Sequence, residues 1–303
     1  MHASAALVAF ALTIALSAPL AVRAQEQDEQ PRFRASVDVV TIAAVVRDKQ
    51  GHVVSSLTKD DFTVLDEGKP QPIVEFQPDS NGPISVGLLI DGSGSMRQSS
   101  AVSRRVGEIL LTLLNAHSDD VALMSFDTRL LTHREFTSDF QQLRTGLNEV
   151  ECWGATSVYD AIAGAAGIVN EHTRKRRAVL VVTDGSDNWS TYSAEEVAWI
   201  ASTIDVPIYV LAVTANPNGS TDAQAVGGEL GDLARATGGD YYAADTETRQ
   251  AIALGRIIED LRHQYLIAIE PAKSAGLRSL EVRTRKPALK VRARQWYAAQ
   301  SED

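Results

Sequence analysis

The 303-residue sequence predicts an α/β protein: a doubly wound, mostly parallel sheet with helices on both faces, inserted in a β-sandwich formed by the N- and C-terminal segments. Three observations predict it. Between Pro83 and about Arg262, short apolar runs alternate with segments of helical period. On either side, Val- and Ile-rich runs are punctuated by turn residues. Cys152 is the only cysteine, so packing alone must hold the fold, and a chain of this length buries enough surface for that.

The elements follow in order. Met1 to Ala24 holds no acidic residue and one apolar run, broken by Pro19, with Val22 and Ala24 at the positions a signal peptidase reads. It reads as a signal peptide cleaved near Ala24, and the mature chain is expected to be secreted or periplasmic. No later segment is apolar enough for a transmembrane span in the mature chain. Residues 25–32, "QEQDEQPR", form a linker. Residues 33–80 make the first part of the sandwich. "ASVDVVTIAAVVRD" is one extended strand, and Asp48 to Gly51 is a turn. Thr58 and Asp61 have capping-box spacing on one short helical turn. "FTVLDEGKPQPIVEF" is two strands around the turn Asp66–Lys69.

Residues 83–262 form the α/β part. "ISVGLLID", "DVALMSFD", "RAVLVVTDG", "VPIYVLAV" and "DYYAAD" are strands. "AVSRRVGEILLTLLNA", "SVYDAIAGAAGIVNE", "SAEEVAWIASTI" (Ser193 capping, Glu196 three later), "DAQAVGGELGDLARATGG" and "TETRQAIALGRIIEDLRHQ" are helices. Residues 264–298 complete the sandwich with "YLIAIEP", "RSLEVRTR" and "LKVRARQWY". Leu280, Val282 and Thr284 share one face, against Arg283 and Arg285. Leu289, Val291 and Ala293 oppose Lys290, Arg292 and Arg294, which predicts a basic face at the surface.

Formal net charge is −10, and −11 once Arg23 leaves with the leader, so nucleic acid is not an expected partner. Lys273 to Arg294 runs against this trend, with eight Lys/Arg and only Glu281 as an acid.

The chemistry concentrates at three strand ends. Asp91, Ser93 and Ser95 follow one strand at alternate positions, Thr156 precedes a helix, and Asp184 ends another strand. Doubly wound sheets bind ligands at the carboxyl ends of their strands. Five oxygen donors with no nitrogen or sulfur suit a hard cation: Mg²⁺ or Mn²⁺, with Ca²⁺ a third candidate. Two carboxylates and three hydroxyls leave at least one exchangeable position.

These motifs resemble the von Willebrand factor type A domain over about Pro83 to Arg262. Its metal-ion-dependent adhesion site (MIDAS) is matched in order by Asp91-Gly92-Ser93-Gly94-Ser95, Gly154-Ala155-Thr156 and Thr183-Asp184-Gly185. The flanks, "LTKDDFTVLDEGKPQPIVEF", "TSVYDAI" and "VRARQWYAA", resemble the narrower von Willebrand factor A-related family of secreted bacterial proteins. The resemblance implies cell adhesion or assembly: a protein ligand presenting Asp or Glu supplies the last metal ligand. Met96, Arg97, Trp153 and Trp189 are the expected partner-binding rim, with core packing the alternative for the two tryptophans.

Two other functions compete. A scaffold could bind through its sandwich and its basic face, with a structural metal. A metal-dependent hydrolase is the second, and an enzyme is not expected. Neither Ser93 nor Ser95 lies in Gly-x-Ser-x-Gly, no His adjoins the motifs, and Gly68-Lys69 lacks a P-loop frame. His117 and His133 lack metal-ligand spacing.

Overall fold

The computed structural model describes residues 39–78, 81–174, 176–213 and 223–299, with backbone alone for 223–227. The leader, its cleavage near Ala24, the linker 25–32 and the start of the first predicted strand lie outside the described residues.

Strands β1 (Val40–Arg47), β2 (Phe62–Asp66), β3 (Lys69–Gln71) and β4 (Ile73–Gln77) come first. The α/β part runs β5 (Ser85–Asp91), α1 (Ser100–Leu113), β6 (Asp120–Phe126), β7 (Leu130–Thr137), α2 (Phe140–Glu149), α3 (Val158–Glu171) and β8 (Arg177–Thr183). It continues with α4 (Ala194–Thr203), β9 (Ile208–Ala212), α5 (Ala223–Ala236), β10 (Tyr241–Ala243) and α6 (Glu247–Arg262). The chain closes with β11 (Tyr265–Ile269), β12 (Gly276–Thr284), β13 (Lys290–Arg292) and β14 (Trp296–Ala299).

Both ends of the chain build two antiparallel sheets, in the orders β13-β1-β11-β4 and β14-β12-β2-β3. Each sheet mixes strands from both ends. Their inner faces meet in a core that includes Ile42, Val46, Phe62, Val64, Tyr265, Ile267, Leu280 and Tyr297. Burying each such side chain contributes about 1.5–3 kcal/mol. Glu67 and Gly68 both have positive φ, +49° and +74°, which makes the tight turn joining β2 to β3. Pro72 ends β3, and β4 then crosses to the other sheet. The capping box at Thr58 and Asp61 is present on a single 3₁₀ turn, Lys59–Asp61.

The central sheet has the order β10-β9-β8-β5-β6-β7, parallel throughout except for the antiparallel edge strand β7. Its strands are apolar on both sides because helices cover both sides. Helices α1, α2 and α6 pack on one face through Val106, Leu110, Leu143, Leu254 and Ile257. Helices α3, α4 and α5 cover the other through Ile162, Val169, Val197, Leu230 and Leu233. Two elements, β7 and α2, are absent from the sequence-based expectation. The start signal for α2 is Asp139, whose carboxylate accepts the N–H of Gln141 and Gln142 at 3.0 and 3.2 Å.

The basic face expected at the surface of the last strand is corrected by the structure. "LKVRARQWY" breaks into β13 and β14, and two of its arginines turn inward. Arg292 pairs with Asp240 at 2.6 Å and with the fully buried Asp260. Arg47 of β1 also engages Asp260, at 2.6 Å. Arg294 is buried and donates to the carbonyls of Ser202 and Thr41 at 2.7 and 2.6 Å. These guanidiniums join the sandwich to the α/β part, because Asp240 and Asp260 of that part would otherwise lose their partners. Lys290 and Arg283 remain exposed. No helix among the described residues is long and apolar enough to cross a membrane.

Candidate metal centre

In the central sheet, the chain steps from β5 to β6 on one side and later returns to place β8 on the other. The winding reverses at β5, and the crevice beside its carboxyl end is where such sheets bind ligands. Asp91 ends β5 and is 1% exposed; Thr183 ends the neighbouring β8 and is fully buried. The Thr183 hydroxyl donates to Asp91 Oδ2 at 2.6 Å. The backbone N–H of Ser93 donates to Asp91 Oδ1 at 2.8 Å, and the Ser93 and Ser95 hydroxyls stand 3.0 Å apart. Asp91 therefore accepts from Thr183 on one oxygen and from Ser93 on the other.

Three loops are tied together by backbone bonds. Gly92 donates to the Phe126 carbonyl at 2.7 Å, Trp153 donates to the Gly92 carbonyl at 2.7 Å, and Gly94 donates to the Gly154 carbonyl at 3.1 Å. A Cβ at Gly92 would lie 2.8 Å from the Glu151 carbonyl oxygen, so only glycine allows this approach. Thr156, two residues beyond Gly154, is 2% exposed. It is not the cap of α3; Ser157 occupies that position. Thr156 donates its N–H to Asn188 Oδ1 at 2.9 Å, and its carbonyl accepts from the N–H groups of Asn188 and Trp189. The carboxylate of Asp187 accepts the Val158 N–H at 2.9 Å, and Ser190 Oγ accepts the Tyr159 N–H at 3.0 Å. The loop after β8 thus closes over the start of α3. Besides Thr183 of the Thr-Asp-Gly motif, Asp187, Asn188 and Ser190 are positioning residues that the sequence alone did not single out. Their signal was the run of turn-forming polar residues after Asp184.

Burial pushes the Asp91 carboxyl up to about 6, with the nearby charge of Asp184 adding to the shift. Neither carboxylate forms an ion pair with Lys or Arg among the described residues. No group of three or more His, Cys, Asp and Glu among the described residues is placed to hold a metal. What the loops bring together is the Asp91 carboxylate, the nearby charge of Asp184, and the Ser93 and Ser95 hydroxyls 3.0 Å apart. A buried, uncompensated carboxylate beside a second acid and convergent hydroxyls fits a hard divalent cation.

The family model of the von Willebrand factor type A domain matches residues 86–186, from β5 to the loop after β8. The chain carries a von Willebrand factor type A domain. A solved von Willebrand factor type A protein from Catenulispora acidiphila is 10% identical, with a TM-score of 0.51, covering 89% of this chain and 75% of that one. BatB from Bacteroides thetaiotaomicron, a conserved hypothetical protein, is 19% identical with a TM-score of 0.49, covering 59% of this chain and 98% of its own. A D319A mutant of the PilB minor pilin from Streptococcus sanguinis is 14% identical with a TM-score of 0.48, covering 60% and 62%. At these identities the likeness is one of fold. No curated protein matches the sequence significantly.

On the A domain's surface, Trp153 and Trp189 are 61% and 66% exposed, so neither packs in the core. The Arg97 guanidinium lies 4.9 Å from the centroid of the Trp153 ring, a cation–π stack across two of the site loops. Met96 does not belong to the rim. It is fully buried in the core beneath the sheet, because the 3₁₀ turn Gly94–Gln98 points its one apolar side chain inward while Ser95 and Arg97 face out.

Proposed function

We propose that this chain is an exported, metal-dependent protein-binding module for adhesion or assembly. Asp91, Ser93, Ser95, Thr156 and Asp184 would hold a Mg²⁺- or Mn²⁺-type cation, whose positive charge would attract a partner's Asp or Glu side chain. The observation that carries this reading is Asp91: a buried carboxylate at the switch point with no Lys or Arg among the described residues to compensate it. The hydroxyls add no charge, so a cation held there would keep enough to bind an anion. Arg97, Trp153 and Trp189 would supply selectivity around it, as Arg and Trp do at many interfaces. The leader-like composition of residues 1–24 supports export. The names of pilus and membrane-related proteins of similar fold are in keeping with an assembly role.

The test is a pulldown from the native secretome with the mature chain, in Mg²⁺ and in chelator, beside calorimetry with Mg²⁺. The expected result is a partner released by chelator and by Thr156→Ala without loss of fold. A partner retained under both conditions would move the function away from this centre.

A further inference from the structure

A cavity of about 420 Å³ opens beside the candidate metal centre. Gly92 and Trp153 line it, and both belong to the loops that shape the centre. Leu130, Leu131 and the Trp153 ring give it apolar walls. Its volume is in the range of small-ligand pockets and accommodates one long side chain.

Acceptors predominate among the polar groups in this cavity. His133 Nε2 and Ser125 Oγ lie 2.7 Å apart, and the imidazole is only 8% exposed. His133 Nδ1 has no hydrogen-bond partner among the described residues; Glu149 Oε2 stands 4.0 Å away. Burial lowers the pKa of this ring, which keeps it neutral and able to accept. Three carboxylates line the cavity against one guanidinium, Arg129. Glu149 is held by Arg134 through bonds of 2.7 and 2.9 Å. Glu151 has no ion pair among the described residues, and Asp127 Oδ1 binds only its own turn. Acceptors outnumber donors, and two carboxylates lack a cation of their own.

We propose that this cavity receives an arginine or lysine that the partner carries beside the acidic residue it presents to the metal centre. The proposal rests on the binding reading above. A long aliphatic stem suits the apolar walls, and a cationic end suits Asp127, Glu151 and the buried acceptors. Gly92 directly follows Asp91, so the two subsites adjoin. An extended peptide advances about 3.3 Å per residue, which puts the basic residue within about three positions of the acidic one. The partner is therefore a segment with both charges in close succession.

The experiment pans a random peptide phage library on the full mature chain in MgCl₂ and elutes with EDTA. Eluted families should carry Asp or Glu with Arg or Lys within about three positions. A synthetic consensus peptide should lose about tenfold in affinity when its basic residue becomes Ala. Glu151→Lys should abolish the basic preference while the melting curve and Mg²⁺ binding stay unchanged, and Glu151→Gln should weaken it. An acidic motif with random neighbours, or a basic preference that survives Glu151→Lys, overturns the cavity assignment and leaves the centre standing. A basic motif without an acidic residue, resistant to EDTA, upholds the cavity and overturns the metal reading. Recovery of no specific peptide overturns both.

Discussion

Two buried aspartates sit in this molecule under opposite conditions. Asp260, on α6, lies between the guanidiniums of Arg47 and Arg292, both from the sandwich. Asp91, at the end of β5, has the Thr183 and Ser93 side chains and the Ser93 backbone N–H for company, and a second acid nearby. Burial raises the pKa of both. At Asp260 the opposing charges are internal, so the arrangement serves cohesion. At Asp91 no Lys or Arg among the described residues opposes the charge, and the binding proposal rests on that difference. An uncompensated buried charge is a demand for something from outside.

The largest expected effect separates the two directly. Asp91→Ala with Ser93→Ala should abolish Mg²⁺ binding in calorimetry while circular dichroism and the melting transition persist. Loss of the fold in that variant would assign Asp91 to cohesion as well. Next is Arg292→Ala, which leaves Asp260 with one guanidinium and should destabilise by about 3 kcal/mol in urea unfolding, with Mg²⁺ affinity intact. A change below about 0.5 kcal/mol would place the junction among the weak surface pairs.

A third expectation concerns pH. The folded pKa of Asp91 is raised to about 6, above its unfolded value, so the folded metal-free chain holds this proton more tightly than the unfolded one. Its contribution to stability therefore falls as pH rises, by about 1 kcal/mol between roughly pH 5 and 7. Comparing metal-free wild type with Asp91→Asn by urea unfolding at both pH values isolates it; a difference that is the same at both would contradict the charge argument. The last expectation is Thr156→Ala, an effect of the same order. It should weaken Mg²⁺ binding on the order of tenfold in calorimetry, because its backbone bonds to Asn188 and Trp189 survive and only the hydroxyl is lost.

The loops of the candidate centre were legible in the sequence because their pieces are local. Asp91, Ser93 and Ser95 end one apolar run, and Asp184 ends another. The sheet and most helices were legible by period for the same reason. Arg292 and Arg294 were not, because alternation with Val291 and Ala293 is what any half-exposed strand shows. The acids of Arg292 lie 32 residues away for Asp260 and 52 for Asp240, and the carbonyls that Arg294 meets, of Ser202 and Thr41, are farther still. Met96 sits in a 3₁₀ turn of five residues, too short for a period to reveal which side faces inward. Strand β7, "LLTHREFT", is an edge strand whose partly polar faces give no clean alternation.

The interleaving of the two sandwich sheets sets an order on folding. Val40 pairs with Ile269 and Phe62 with Thr284, across more than two hundred residues of intervening chain. As the chain emerges from a ribosome or a translocation pore, β1 and β2 have no complete sheet to join until β11 and β12 arrive. The central sheet, whose strands follow one another closely, can close first and bring the two ends together. Closing the sandwich before that would require ordering a loop of the whole α/β part, an entropic penalty that its folding removes. A chain that stalls before Tyr265 would leave β1 with neither β11 nor β13, an open edge able to pair with another chain.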